Sequence, residues 1–194
     1  SFSTGGALIT ARTLLGGGGS QNASLATGGA PGGKSCTEEY NGTAWAAGGA
    51  LNNARYNLAG GCIGTQNASL AAGGVISSPT AVTCTETYDG VSWTNVGAMV
   101  QANRGQSGFG DEGEVIASHG ISDTTDTQIW LRPFIPPYTT TLAGAWSTGG
   151  TLITARAMLG GDGTVSAALA FGGHSPSPST ATTCTEEYDG SSWS

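Results

Sequence analysis

The chain is short of charge, of large aliphatic side chains and above all of lysine. Charged residues are 10% of 194, with Lys+Arg 6 against Asp+Glu 13, and Lys34 is the single lysine. So few cations exclude a basic patch able to release counterions from nucleic acid. Leu, Ile, Val and Phe together number 31. No apolar run approaches the ~20 residues of a membrane-spanning helix. A deficit of aliphatics raises the question of disorder, but disordered chains combine it with high net charge, and the formal charge here is only −7. Glycine is abundant, at 34 residues. At this density it excludes a large helical bundle, because each helical Gly costs roughly 1 kcal/mol relative to Ala. The chain opens at Ser1-Phe2 without an initiating Met, the expectation for a processed chain or a part of a longer one.

What is present is an internal repeat. Three segments match closely: Cys36-Thr-Glu-Glu-Tyr-Asn-Gly-Thr-Ala-Trp45, Cys84-Thr-Glu-Thr-Tyr-Asp-Gly-Val-Ser-Trp93 and Cys184-Thr-Glu-Glu-Tyr-Asp-Gly-Ser-Ser-Trp193. Upstream of each lies a small-apolar run ending in Gly-Gly, at Leu25–Gly29, Leu70–Gly74 and Leu169–Gly173. Further upstream an Ala-Arg or Asn-Arg pair places Arg12, Arg55, Arg104 and Arg156 in phase. A degenerate copy carries Ile116-Ala-Ser-His-Gly120 and Thr127-Gln-Ile-Trp130, and its closing Trp146 follows an insertion, Pro133–Tyr138. Trp45, Trp93, Trp146 and Trp193 are spaced by 48, 53 and 47 residues. One domain of four units follows, with bounds 3–45, 46–93, 94–146 and 147–193.

Each unit reads as four short strands. The first follows the arginine, the second is the Leu-Ala run, and the third alternates with period 2, as in Cys84, Glu86 and Tyr88. Asn41-Gly42, Asp89-Gly90 and Asp189-Gly190 then predict type I′ hairpin turns, and the fourth strand begins at the Trp. Four antiparallel strands per ~50 residues is the signature of a propeller blade, so the expected fold class is all-β. The opening Phe2-Ser-Thr-Gly-Gly6 matches Trp146-Ser-Thr-Gly-Gly150. Residues 3–8 are therefore expected to pair with the strand of Tyr188 or its neighbour and close the last unit, removing an exposed edge. The alternative is that the ends are those of a piece of a longer array.

The order Arg, Gly-Gly run, Glu-x-Tyr-Asp and Trp resembles the kelch motif of β-propellers, the group that includes the galactose oxidase central domain. The resemblance covers nearly the whole chain and is weakest in unit three. It implies four kelch-like blades, where such propellers usually have six or seven. The wording of the repeats, with Thr-Gln-Asn-Ala-Ser-Leu-Ala and many Gly and Ala, also resembles repeat proteins of marine bacteriophages. Those are taken to be tail-fibre or other virion-surface components.

The four arginines either face an anionic ligand or pair with Glu38, Glu86 and Glu186. Pairing is the expectation, because a buried unpaired Arg is costly. Gln128 replaces Glu in unit three, so Arg104 is expected to be engaged differently. The aromatic pairs ending in Trp45, Trp93, Trp146 and Trp193 either stack on sugar or pack between blades, and packing is expected in a chain so poor in aliphatics. His119 and His174 lack the companions of a metal site. Asp111, Glu112, Glu114, Asp123 and Asp126 make a Ca²⁺ site or, as expected here, a solvated loop. Copper ligands of the galactose oxidase type cannot be mapped onto this chain. No cofactor, metal or catalytic motif is expected. Cys36, Cys84 and Cys184 occupy equivalent positions and should lie too far apart to bridge, and only Cys62 could pair, with Cys36 or Cys84.

Function is then expected in the connections, on a rigid repeated scaffold. The segments that vary between units are 16–21, 30–35, 75–82, 122–126 and 175–183. The apolar insertion of unit three nominates Phe134, Ile135 and Tyr138 as an interaction loop. The expectation is a non-catalytic virion-surface or tail-fibre module, on the virion or otherwise outside the cell. Its partners would be neighbouring virion proteins, a host-surface glycan or protein, or further copies of itself, with no nucleic acid and no membrane span. The alternative is a secreted or cell-surface propeller binding glycan or protein, with or without enzymatic activity.

Overall fold

A computed structural model describes residues 5–58, 63–105, 107–110, 114–118, 127–131, 145–156, 158–175 and 180–194. All regular structure among them is β. Unit one holds β1 (Gly16–Ser20), β2 (Ala23–Thr27), β3 (Thr37–Tyr40) and β4 (Trp45–Ala47). Unit two holds β5 (Ile63–Thr65), β6 (Ala68–Ala72), β7 (Val75–Ser77), β8 (Thr80–Ala81), β9 (Thr85–Tyr88) and β10 (Trp93–Asn95). Unit three holds β11 (Ser107–Gly110), β12 (Glu114–Ser118), β13 (Thr127–Leu131) and β14 (Ala145–Thr148), and unit four holds β15 (Gly160–Thr164), β16 (Ala167–Phe171) and β17 (Thr185–Tyr188).

Three units form four-stranded antiparallel sheets, in the orders β1-β2-β3-β4, β10-β9-β6-β5 and β11-β12-β13-β14, while β15-β16-β17 has three strands. Unit four is thus one strand short of the expected four. Its fourth position is started by Ser194, which exchanges backbone hydrogen bonds with Glu187 at 2.9 and 3.0 Å. The register repeats from sheet to sheet: Leu25 faces Glu39, Leu70 faces Thr87, Ile116 faces Ile129 and Leu169 faces Glu187.

The turns before Trp45, Trp93 and Trp193 differ from the expected two-residue hairpin. Tyr40 pairs with Trp45, leaving the four residues 41–44 as the loop. Asn41 Oδ1 accepts from the amides of Thr43 and Ala44, both at 3.0 Å, and only Gly42, at φ 91°, is left-handed. Asp89 and Asp189 make the same side-chain cap. The cap satisfies two amides that a type I′ turn would not need to satisfy. Backbone donation, from Ser192 above all, holds the Asp189 carboxyl down at about 2.

The segment 16–21, expected to be a variable connection, is mostly β1. Four successive glycines give it no alternating pattern, so its strand character comes from pairing, with Gly16 opposite Thr27 through Ser20 opposite Ala23. Glycine suits the first strands of the units because neighbours approach closely there. A Cβ on Gly161 of β15 would run into the Phe109 ring of β11.

The hydrophobic cores lie between units. Leu25 of unit one is buried with Leu51, Leu58, Tyr88 and Trp93 of unit two. Ile63, Leu70 and Ala72 of unit two join Met99, Val115, Trp130 and Trp146 of unit three. Phe109 of unit three joins Leu152, Leu159, Tyr188 and Trp193 of unit four. No sheet has a core of its own, so each is stabilised by stacking on its neighbour. The first strands of the units follow the same succession, β1 against β5, β5 against β11 and β11 against β15.

Among the described residues no packing of that extent joins β15 back to β1, so no closed ring is formed by them. The pairing expected for residues 3–8 is not found either. Residues 5–8 lie in no strand, and Trp45 Nε1 donates to Gly6 O at 3.1 Å, so this segment rests on unit one. Residues 1–4 lie outside the described residues. No helix of the described chain is long and apolar enough to cross a membrane.

Candidate functional site

Each unit is entered by a segment without strand partners, and its backbone donors must be satisfied some other way. A glutamate of the third strand does this. In unit one, Ile9 N and Thr10 N donate to the Glu38 carboxylate at 2.7 and 3.1 Å, and Arg12 Nη1 donates to its Oε1 at 2.7 Å. In unit two, Asn52 N and Asn53 N donate to Glu86 at 2.7 and 3.3 Å, and Arg55 Nη1 lies 3.0 Å from Glu86 Oε1. In unit four, Ile153 N and Thr154 N donate to Glu186 at 2.7 and 3.2 Å, with Arg156 Nη2 3.3 Å away.

Each guanidinium also reaches the second strand through Nη2, at Ala26 O (3.0 Å), Ala71 O (3.1 Å) and Ala170 O (3.2 Å), and the other arm of Arg156, Nη1, donates to Cys184 O at 2.9 Å. The three arginine side chains are fully buried. They tie the entering segment to the second and third strands, and none of the three is open to an anionic ligand. A buried carboxylate spanned by two amides and a guanidinium is a structural clamp, its charge matched by donors on every side.

In unit three the phase assigned to Arg104 is one residue late. Gly29 N donates to Arg55 O at 3.0 Å, and the matching bond of the next unit runs from Gly74 N to Asn103 O at 2.8 Å. Likewise Leu51 N donates to Ser35 O and Met99 N to Thr83 O. Asn103 therefore stands where Arg55 stands, and it is buried. Arg104 is half-buried and its amide donates to Asn103 Oδ1 at 2.8 Å. Gln128, at the glutamate position, accepts from Gln101 N at 3.1 Å and donates to Gln101 O at 3.2 Å. Cation and anion have been replaced together, so no uncompensated charge is left buried. Counting from the preceding glycine would have shown this: Gly6, Gly49, Gly97 and Gly150 each stand six residues before Arg12, Arg55, Asn103 and Arg156.

The aromatic pairs stack within their own units, with centroids 5.1 Å apart for Tyr40–Trp45, 4.9 Å for Tyr88–Trp93, 5.6 Å for Trp130–Trp146 and 5.0 Å for Tyr188–Trp193. They also reach back one unit. Trp93 Nε1 donates to Thr37 Oγ1 at 2.9 Å and Trp146 Nε1 to Thr85 Oγ1 at 3.0 Å. Trp193 instead donates to Gly150 O at 3.2 Å. Trp93, Trp146 and Trp193 are buried and Trp45 is half-buried, so the first three serve packing rather than an open sugar platform. The Tyr88 hydroxyl donates to Glu39 Oε1 of the preceding unit and accepts from Gly49 N. Burial first, and the Glu39 carboxylate second, push its pKa up to about 12.

Two features were not anticipated from sequence. Leu14, Asn57 and Met158 have φ near +55°, each two residues after the arginine, and Gly105 stands at φ 60° two residues after Asn103. Gln66 Nε2 bridges back to Ser24 O and Tyr40 O of unit one, at 3.0 and 2.9 Å. The repeated Gln-Asn-Ala-Ser wording was the available signal for the second. For the first, Asn57 and Gly105 are types that favour a positive φ, while Leu14 and Met158 give no such signal.

His174 is exposed and pairs with Ala181. Cys36, Cys84 and Cys184 are free thiols. Among the described residues no group of three His, Cys, Asp or Glu converges on a metal position. His119, Cys62, the acidic residues 111, 112, 123 and 126, the side chain of Glu114, and the interaction loop of Phe134, Ile135 and Tyr138 lie outside the described residues. Among the described residues the second-to-third-strand connections of units one and two differ: a turn over 28–36 in unit one, and the β7-β8 hairpin, with Ile76 exposed, in unit two. No protein-family model and no curated protein sequence matches the chain.

Proposed function

We propose that the chain is a non-catalytic binding or structural module of a bacteriophage virion surface, built of kelch-type propeller blades. Its connecting segments engage neighbouring virion proteins or a host-surface glycan or protein. The observation that carries this reading is the contrast between station and connection. The recurrent polar residues Arg12–Glu38, Arg55–Glu86 and Arg156–Glu186 are consumed by the scaffold, while the connection between second and third strands differs between units one and two. A rigid repeated frame with variable connections suits recognition. The succession of first strands β1, β5, β11 and β15 supports the blade arrangement, and the phage-like wording of the repeats supports the location. A surface with a single lysine also offers trypsin-like proteases few cuts outside a cell.

The test is mass spectrometry and immunogold labelling of purified virions, combined with a cell-binding assay on the 194-residue chain. The expected result is presence on particles together with binding to host cells or to a virion protein. Absence from particles, with turnover of a sugar or alcohol substrate, overturns the proposal in favour of a secreted or cell-surface enzyme.

A further inference from the structure

The boundary between units one and two is tied by Trp93 to Thr37, Tyr88 to Glu39 and Gln66 to Ser24 and Tyr40, and the two ends of the described array carry the unmatched halves of that boundary. At the unit-four end, Thr185 and Glu187 are exposed, whereas their equivalents in unit one, Thr37 and Glu39, are buried and half-buried beneath Trp93 and Tyr88. Leu169, equivalent to the fully buried Leu25, is only half-buried, and Phe171 beside it is 45% exposed. This face is an apolar strip flanked by a hydroxyl and a carboxylate that lack the aromatic partners found at the first boundary.

The unit-one end is the opposite half. Tyr40 and Trp45 are half-buried where Tyr88 and Trp93 are buried. Leu8 and Leu15 are half-buried where Leu51, Leu58, Leu152 and Leu159 are buried. Gln21 is exposed in the β1-β2 turn, at the position Gln66 occupies in unit two. Gln66 donates to the carbonyls of Ser24 and Tyr40. Their equivalents in unit four, Ala168 and Tyr188, line an open depression together with Asp162, Gly163, Leu169 and Glu187. The socket lies at one end of the array and its plug at the other.

We infer that the unit-four face docks onto the unit-one face of a second copy of this chain, head to tail. Gln21 of one copy enters the depression over Ala168 and Tyr188 of the other, Tyr40 donates to Glu187, and Trp45 meets Thr185. The occupant is a second copy because the new boundary repeats the one between units one and two residue for residue, while β15 and β1 of one chain are not packed to the extent of β1 and β5 or β11 and β15. A heterologous contact of this kind generates a ring if the rotation closes and a filament if it does not. The inference does not depend on the proposed function.

The experiment is sedimentation and light scattering of the 194-residue chain over a range of concentration, with Gln21→Glu and Glu187→Arg variants. Both positions are exposed, so neither substitution disturbs a core. Gln21→Glu turns a donor into a carboxylate facing two carbonyls, and Glu187→Arg removes the acceptor for Tyr40. The chain is expected to grow beyond one copy with concentration, and each variant to associate at least about tenfold more weakly. An equimolar mixture of the two variants is expected to form dimers and stop there, since each supplies one intact face. The dimer also shows that both variants are folded. A chain that stays monomeric at every concentration, whether its ends meet each other or await a further repeat, overturns the inference. Variants that assemble as tightly as the parent, or a mixture that gives no dimer, overturn it as well.

Discussion

Asn103 and Arg55 occupy the same position in successive units: each offers its backbone carbonyl to the second glycine of the preceding Gly-Gly pair, from Gly74 N at 2.8 Å and from Gly29 N at 3.0 Å. The glutamate opposite changes in step, Glu86 in unit two and Gln128 in unit three, both buried. Asn103→Arg alone would bury a cation without a counter-charge, and Gln128→Glu alone a carboxylate without a cation. Each is expected to lose about 3 kcal/mol or more of stability. Together they rebuild the clamp, and a denaturant double-mutant cycle should show a favourable coupling of about 1–3 kcal/mol. Additive losses would mean that position 103 does not face position 128.

This substitution also shows where sequence reading stops. Glu38, Glu86 and Glu186 could be assigned to Arg12, Arg55 and Arg156 because residue type and phase agree. In unit three an arginine happens to follow the true position, and residue type outweighed spacing. The strands at Leu25, Leu70 and Leu169 were legible from small-apolar runs ending in Gly-Gly. Strand β1 was not, because Gly16–Gly19 carry no side chains to alternate and owe their conformation to β2. The four-residue turns were half legible: Asn-Gly and Asp-Gly marked the place, but the Asx cap that sets the loop length depends on side-chain geometry. The cores between units could not be read from one unit, since Leu25 meets Trp93 only when two units stack.

The tryptophan reaching back to a threonine sets up a matched pair of substitutions. Thr37 Oγ1 accepts from Trp93 Nε1 and shares a 2.7 Å hydrogen bond with Thr27 Oγ1. Thr37→Val leaves a buried indole donor unsatisfied and is expected to cost about 1–3 kcal/mol. Thr127 occupies the same position in unit three, but Trp193 donates elsewhere and, among the described residues, Thr127 Oγ1 has no hydrogen-bond partner. Thr127→Val keeps the shape, removes an unsatisfied hydroxyl and should be neutral or stabilising. Chemical denaturation of the two variants side by side checks the contrast, and equal losses would contradict it.

Tyr88 should make the chain sensitive to alkali. Its phenol is raised to about 12, against about 10 in an unfolded chain. The proton is therefore held more tightly in the folded state, and the stability linked to it is fully present below about pH 10 and lost as pH rises through 12. Tyr88→Phe removes both the donor to Glu39 and the acceptor of Gly49 N, and should cost about 1–2 kcal/mol at neutral pH. The variant should also lose the part of the stability decline that falls between about pH 10 and 12. Urea midpoints measured from pH 8 upwards test both parts, and an unchanged alkaline slope in the variant would exclude Tyr88 as its source.

The row of left-handed residues offers a stabilisation. Leu14, Asn57 and Met158 have φ of 51°, 57° and 53°, and Gly105, at 60°, fills the same place in unit three. The row is joined between units, Asn57 N donating to Leu14 O at 2.8 Å and Gly105 N to Asn57 O at 3.0 Å, so the conformation is imposed by stacking rather than by residue type. A side chain at such a φ costs roughly 1–2 kcal/mol, less for Asn, nothing for Gly. Leu14 and Met158 are 54% and 62% exposed, so removing their side chains sacrifices little packing. Leu14→Gly and Met158→Gly should each raise stability by about 0.5–1 kcal/mol once the greater freedom of glycine in the unfolded chain is set against the relieved strain. Asn57→Gly should change little, and Gly105→Ala should destabilise by about 1 kcal/mol or more. The ranking of the four thermal midpoints is the measurement. A destabilised Met158→Gly would show that the backbone at 158 is not held left-handed.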